Sequence, residues 1–404
     1  MVRISEPERY ALWALASANF AVGGMSYGMV GALPSLVQAW RVSPGGAALL
    51  MTLFSIAFAV GAPLLQIWVG HARRRVLLLT GLVVMLGATL AGAFVDSFTG
   101  LLVTRVVAGL AAAIISPVAN AIGAGLAPVE RRGKAMAVVF VGVTLSSVIA
   151  APLSAVLADA FGWRTVFIGL AVITAGSLGW IVLTVHDESY GERMRPRGLA
   201  QLLLRPATAS GLAVIVLQTA AFFATYTLIL PLMTTQFGAS SAQGSFALLV
   251  FGLIGIAGNL LAQWASLRHS ADRLLRIAMI TMVLVFVIIS VLGVMPWADV
   301  LRLGIVLAVL VIWAVMQDVF YPSQVRRVVT LEPDYRGMII ALNSSGIFLG
   351  IAFGSGIGGR VADQVGLWGL APVSAMLTLA AFGALAASQR FVRQARDVRS
   401  YGFL

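Results

Sequence analysis

The chain is a succession of apolar runs, each long enough to cross a lipid bilayer, with little polypeptide left between them. A spanning helix needs roughly 20 predominantly apolar residues. Runs of that kind cover 11–37, 47–69, 75–95, 99–126, 135–159, 163–185, 207–236, 244–267, 274–294, 301–325, 337–361 and 366–388, separated by charged or Gly/Pro/Asn punctuation. Only 10% of the 404 residues are charged and 60% are hydrophobic, where a soluble globular chain carries roughly 25% charge. The charge needed to coat a water-facing surface is missing. The expected fold class is therefore an all-α membrane protein of twelve transmembrane helices. The first run exceeds the ~7 to 15 apolar residues of a cleavable signal, so it is expected to remain as a helix.

Several function classes fall away on residue types alone. There is no cysteine, which excludes disulfides, thiolate metal sites and cysteine nucleophiles. Three scattered histidines, His71, His186 and His269, do not make an imidazole metal site. The single lysine, Lys134, is followed by Ala135, so no phosphate-binding loop of the G-x-x-x-x-G-K-[ST] type exists. No Ser-His-Asp arrangement, H-E-x-x-H or carboxylate pair falls within a span. Neither an enzyme, nor a cofactor, nor a metal is expected.

The net charge of +12 suggests nucleic acid only where charge clusters on one folded face. Here it follows the loops. With the N-terminus in the cytoplasm, 22 of the 27 basic residues fall on the cytoplasmic side, leaving Arg41, Arg105, Arg164, Arg302 and Arg360. That bias is the positive-inside pattern, and it puts both termini inside and anionic lipid headgroups opposite the basic bands.

The longest polar stretch, residues 186–205, divides the chain nearly in half. A shift of 197 residues places Pro34 on Pro231, Gly61 on Gly258, Gln66 on Gln263 and Arg105 on Arg302. After a seven-residue insertion, a shift of 204 places Arg132 and Gly133 on Arg336 and Gly337, Asp159 on Asp363, and Gly162 on Gly366. A duplicated six-helix unit explains these pairs: residues 1–185, a cytoplasmic linker 186–205, and 206–404. An even number of helices per unit gives both copies one orientation, hence a pseudo-two-fold axis along the membrane normal.

Two such halves joined by a charged linker resemble the major facilitator superfamily. Local sequence is similar to its twelve-helix drug:proton antiporter group, in the sugar-efflux and purine-efflux branch. The likeness lies in GALP (Gly31 to Pro34), VGAPLL (Val60 to Leu65), RVVAG (Arg105 to Gly109), ERRGKAM (Glu130 to Met136) and PLSAVLADAFGWR (Pro152 to Arg164), then ALN (Ala341 to Asn343), Leu349 with Gly350, and Gly358 with Gly359. The resemblance implies a monomeric inner-membrane transporter of a small molecule. It links Arg105 and Gly109 to coupling or gating. The family's loop between the second and third helices reads G-x-x-x-D-R-x-G-R-R. Here Gln66 replaces the first glycine, Gly70 the acid and Arg73 the second glycine, while Arg74 and Arg75 remain. The acid that in the family helps lock one state is absent, and Ser26 stands where the branch commonly carries a glutamate.

Intramembrane charge is costly, about 2.5 to 3.5 kcal/mol on insertion scales, so Arg105 and Asp318 are functional candidates by default. Asp318 is the one acid deep in an expected span, within WAVMQDVFY (Trp313 to Tyr321), and a carboxyl there can exchange protons as its hydration changes. The alternative for Arg105 is a side chain that snorkels outward, or an interhelical strut to backbone carbonyls. For Asp318 it is a helix that ends near Pro322, leaving the acid at the interface. Asp318 aligns 16 positions deeper than Arg302, roughly 24 Å along the axis, so a direct ion pair with Arg105 is not expected. A polar and aromatic set surrounds these residues: Asn19, Ser26 and Tyr27, then Gln218, Thr225 and Tyr226, then Trp313, Gln317 and Tyr321. A few polar groups on an apolar aromatic wall suit a neutral or amphipathic small molecule, although each is equally suited to a helix–helix hydrogen bond. Gly346, Gly350, Gly354 and Gly358 read as close helix packing.

The leading function is a secondary transporter that exports small organic molecules against protons, by alternating access. Two readings stay open beside it: an uncoupled facilitator of the same substrates, and a non-transporting membrane sensor.

Overall fold

With no water in the bilayer core, every backbone N–H and C=O must be satisfied within the fold, and helices do this segment by segment. The computed structural model describes residues 6–128, 131–191, 196–294 and 299–401, and among them twelve helices are long and apolar enough to cross a membrane. They are α1 (Glu6–Trp40), α2 (Pro44–Trp68), α3 (Arg74–Phe94), α4 (Phe98–Gly125), α5 (Arg132–Phe161), α6 (Trp163–Thr184), α7 (Pro206–Tyr226), α8 (Ser241–Ser266), α9 (Ala271–Val294), α10 (Asp299–Leu331), α11 (Arg336–Gln364) and α12 (Leu370–Tyr401). Among the described residues there is no strand beyond one isolated bridge. Arg3, Arg193 and Arg195 of the basic count, and Glu130 of the ERRGKAM stretch, lie outside the described residues, as do the side chains of Arg197, Arg396 and Arg399.

Local signals set the helix starts. Ser43 caps α2 by accepting from the Gly46 amide at 3.0 Å, with Pro44 following at the first helical position, and Ser97 caps α4 through Gly100 at 3.1 Å. Two of the aligned pairs share a backbone feature. Gly162 and Gly366, paired at a shift of 204, both turn the chain with positive φ, +83° and +104°, between α5 and α6 and ahead of α12. Arg132 and Arg336, another pair, begin α5 and α11.

Several elements depart from the expected spans, among them α12, which runs to Tyr401 where the expected span ends at 388. The seventh was read as one run over 207–236, but α7 stops at Tyr226, resumes over Ile229–Pro231 and ends in a π-turn, Leu232–Gln236. Pro231 has no N–H for a regular turn, and apolar composition alone does not reveal such a break. The tenth expected span ends at 325, with an earlier end near Pro322 as the alternative, yet α10 runs through Pro322 to Leu331. The linker holds a short helix, Pro196–Leu204.

The chain forms two compact units. The first comprises Met1–Met194, Leu228–Thr234 and Ala239–Gly252, and the second Arg195–Thr227, Thr235–Gly238 and Leu253–Leu404. In the first, α1 packs on α5, α6, α4 and α2, and α3 lies on α4 and α6. In the second, α7 is held by α11 and α12, and α9 by α10 and α12. Small residues bring these helices together: a Cβ at Gly350 would lie 2.6 Å from the Val216 carbonyl of α7, and one at Gly28 would lie 2.9 Å from Ser154 Oγ of α5.

Candidate functional site

In the first unit the site is built around Arg105, two turns into α4 from its Ser97 cap. Its side chain is only 1% exposed. Nε donates to the Leu50 carbonyl at 3.1 Å, Nη2 to the Met25 carbonyl at 2.6 Å, and Nη1 meets Met25 Sδ at 3.8 Å. The guanidinium lies 4.5 Å from the centre of the Phe54 ring. Gly109, one turn along, lets α2 close in, since a Cβ there would sit 2.9 Å from Ala57 Cβ. Arg105 therefore ties α4 to α1 and α2 through helix carbonyls, as the strut reading expected. The carbonyls leave it a full positive charge, because a guanidinium does not deprotonate in proteins. Beside its anchors, Ser26 on α1 and Ser55 on α2 are buried with hydroxyls that find no hydrogen-bond partner among the described residues. A buried donor without a partner is costly.

Asn19 and Tyr27 share α1 with Ser26. Asn19 is fully engaged in packing: Oδ1 accepts from Ser116 at 2.8 Å, and Nδ2 donates to Asn120 Oδ1 at 3.0 Å and to the Val139 carbonyl at 3.2 Å. This node joins α1, α4 and α5. Tyr27 is partly buried.

The second unit gathers most of the remaining expected residues. Trp313 of α10 is fully buried, with Phe286 of α9 at 5.0 Å, Phe222 of α7 at 5.2 Å and Tyr226 at 6.4 Å between ring centres. Tyr226 stacks on Phe222 at 4.6 Å. Gln218, fully buried, donates to Met282 Sδ at 3.1 Å while its Oε1 is left without a partner. The Tyr321 hydroxyl lies against Thr219 and Gln317. Thr225 is drawn away, hydrogen-bonded to Ser374 of α12 at 2.7 Å, and is a packing residue.

Asp318 lies near the middle of α10, which runs on to Leu331 and does not end near Pro322. It is partly buried. The ion pairs among the described residues include Arg164–Asp96, Arg205–Glu332 and Arg327–Asp272, and Asp318 takes part in none of these. Tyr226 and Tyr321 lie within electrostatic range of it.

The expected gating residues form a third group, in the first unit. Arg74 N–H donates to the Ser189 carbonyl at 3.0 Å and Gly191 N–H to the Ala72 carbonyl at 3.1 Å, bridging the α2–α3 loop to the chain just after α6. Arg73 Nε reaches the Tyr190 hydroxyl at 3.0 Å, Arg74 Nη1 the Ser189 hydroxyl at 3.3 Å, and Arg75 Nη2 the Val182 carbonyl at 3.1 Å. Gly70 and Gly191 meet backbone to backbone, and Gln66 folds over Gly70. Sequence reasoning missed Tyr190, Ser189 and Gly191. It also missed Phe222 and Phe286, although the four-residue spacing of Phe222 and Tyr226 was available as a signal.

The sequence profile of the Major Facilitator Superfamily matches residues 15–323 and again residues 212–400. The MFS-type transporter YbcL of Bacillus subtilis is 24% identical over 370 residues, covering 91% of this chain and 92% of its own. The inner membrane transport protein YdhP of Escherichia coli K12 is 26% identical over 353 residues, with 87% and 88% covered. Among solved structures, a bacterial homologue of the human lysosomal transporter Spinster aligns over 96% of this chain and 98% of its own, with a TM-score of 0.72 at 16% identity. A POT family transporter in complex with a thioalcohol-conjugated peptide aligns over 95% and 96%, with a TM-score of 0.74 at 14% identity. At such identities these structures show a shared fold.

Proposed function

The chain belongs to the Major Facilitator Superfamily, a multi-pass membrane transporter of small molecules, and from that premise we propose that it exports a small neutral or amphipathic organic molecule in exchange for protons. The observation that carries this reading is Asp318, an acid near the middle of a 33-residue helix with no ion-pair partner among the described residues. A charge at such depth is costly, so closure around the residue favours the protonated form and opening to water favours release. The aromatic wall of Phe222, Tyr226, Trp313 and Phe286, with Gln218 Oε1 as a polar point, suits an uncharged ligand face. In the other unit, Arg105 with Ser26 and Ser55 supplies a fixed positive charge and two hydroxyls.

The same proposal places the protein in the drug:proton antiporter group, sugar-efflux and purine-efflux branch. It puts a monomer in a bacterial inner membrane with both termini cytoplasmic, and two six-helix bundles, 1–185 and 206–404, alternate about the linker 186–205. Anionic lipid headgroups pair with the basic bands on the cytoplasmic side. Ser26 and Gly70, which stand where the family carries acids, favour one second reading, an uncoupled facilitator of the same substrates. Flux in proteoliposomes decides between them: substrate accumulation driven by an imposed pH gradient supports exchange with protons, and flux indifferent to that gradient supports the facilitator.

A further inference from the structure

We infer that Gly255 of α8 is a positioning residue for Asp318, providing a bare stretch of helix backbone on which the carboxylate rests. The inference builds on the reading of Asp318 as the proton-exchanging group. A Cβ at position 255 would collide with Asp318 Oδ2 and lie 3.2 Å from Cγ, and the third nearest atom, Oδ1, is 3.8 Å away. Every close neighbour of that missing methyl is thus an atom of one carboxylate. One turn along α8, Gly258 differs: a Cβ there would lie 2.7 Å from the Val315 carbonyl and 3.0 Å from Val315 Cα, both backbone, and only then 3.1 Å from Asp318 Cβ, with neither carboxylate oxygen as close. Gly258 lets the two helices touch, whereas Gly255 makes room for a side chain.

The seat matters because of what else surrounds the acid. The ionisable groups that interact with Asp318 are Tyr226 from α7 and Tyr321 on its own helix. From α8, Gly255 and Gly258 lie against it. Pro322, four residues on, has no N–H to give the Asp318 main-chain carbonyl, so carboxylate and carbonyl sit together in a stretch of α10 where the regular ladder is broken. How easily water or a substrate group reaches this pair depends on where the carboxylate lies. A methyl at 255 meets the free end of a side chain with two rotatable bonds, so the carboxylate swings aside while the helices stay in place. Protonation of Asp318 then changes without a change of fold.

The test uses full-length protein in nanodiscs, with Asp318 protonation followed by infrared difference spectroscopy of the carboxylic C=O band, assigned by its loss in Asp318→Asn. Gly255→Ala should move the pH midpoint of that band by at least ~0.5 unit, a shift within the range that altered surroundings produce, while Gly258→Ala, which meets backbone first and reaches only the Cβ of Asp318, moves it less and lowers Tm. An unmoved midpoint in Gly255→Ala overturns the inference. Folding is checked by a double-mutant cycle: any loss of Tm caused by Gly255→Ala should vanish in an Asp318→Ala background, where the collision is gone, and that caused by Gly258→Ala should persist. A Gly255→Ala penalty that survives in Asp318→Ala makes the glycine a helix-packing residue and sinks the proposal. Wild-type flux that ignores pH alongside a shifted midpoint would refute proton exchange and leave Gly255 as the seat of Asp318.

Discussion

Arg105 Nη2 donates to the main-chain carbonyl of Met25 at 2.6 Å, so the deepest cation of the first unit is held by helix backbone and not by a carboxylate. Charge-assisted hydrogen bonds are worth about 1.5 to 3 kcal/mol each, and two of them, to Met25 and Leu50, fix the guanidinium across α1 and α2. Both acceptors are carbonyls inside helices, so losing the arginine leaves no buried charge behind.

Removing Arg105 should therefore spare folding and damage transport. Arg105→Ala is expected to insert normally and to lower proteoliposome flux at least tenfold, about 1.4 kcal/mol in barrier terms. Arg105→Lys should fall between, because an ammonium lacks the planar fork that spans two helices. Arg302, its partner in the repeat, bonds to the Leu292 and Gln236 carbonyls near the start of α10, and Arg302→Ala should cost far less. Equal, mild losses in flux from both alanine variants would make Arg105 a strut and nothing more.

The loop that lacks the family's acid carries a different fastening, and it can be tested at the amides. Gly191 approaches Gly70 so closely that any side chain at 191 strikes the Gly70 carbonyl. Gly191→Ala should open the bridge and raise hydrogen exchange at the Arg74 amide by about tenfold, the equivalent of ~1.4 kcal/mol of local stability. Tyr190→Phe, which loses only the hydroxyl accepting from Arg73 Nε, should raise it much less. Unchanged exchange in Gly191→Ala would mean that the loop is held from elsewhere.

Much of this fold was legible because lipid-length apolar runs admit few alternatives, and the repeat pairs Gly162 with Gly366 and Gly61 with Gly258 mark turns and helix contacts that recur. Composition could not show the break after Tyr226, which falls inside an apolar run, or the passage of α10 through Pro322, where proline and the polar residues around it read as a helix end. The candidate residues were readable as isolated polar groups, but their partners were not. Met25 and Leu50 hold Arg105 through main-chain carbonyls, which every residue possesses, and Gly255 acts on Asp318 through the absence of a side chain. Asn19 was selected as a possible ligand contact and proves to be a packing node, because Ser116 and Asn120, 97 and 101 residues away, complete its hydrogen bonds.

The basic residues make a prediction about orientation. Twenty-two of 27 lie on one side if the N-terminus is cytoplasmic, a bias that sets topology during insertion. A cysteine introduced at Tyr190 or Gln201, in a chain that has none, should react with a membrane-impermeant maleimide only after the cells are opened. Labelling in intact cells would reverse the topology.

Asp318 makes the most discriminating prediction. Positions 26 and 70 carry Ser and Gly, so an exchanger must use another group that binds and releases one proton per cycle. Asp318→Asn keeps the shape and the neutral form but has no proton to lose. Steps that need only the neutral form survive, and steps that require release do not. The variant should bind substrate and exchange labelled for unlabelled substrate across the membrane at rates within about threefold of wild type, a difference of ~0.65 kcal/mol. It should fail to concentrate substrate when a pH difference is imposed, under conditions in which the wild-type protein does. Gly255→Ala should retain accumulation with an altered pH dependence, because its carboxylate is displaced and not lost. Normal accumulation by Asp318→Asn would assign the proton to another residue, and loss of exchange as well as accumulation would make Asp318 part of substrate binding.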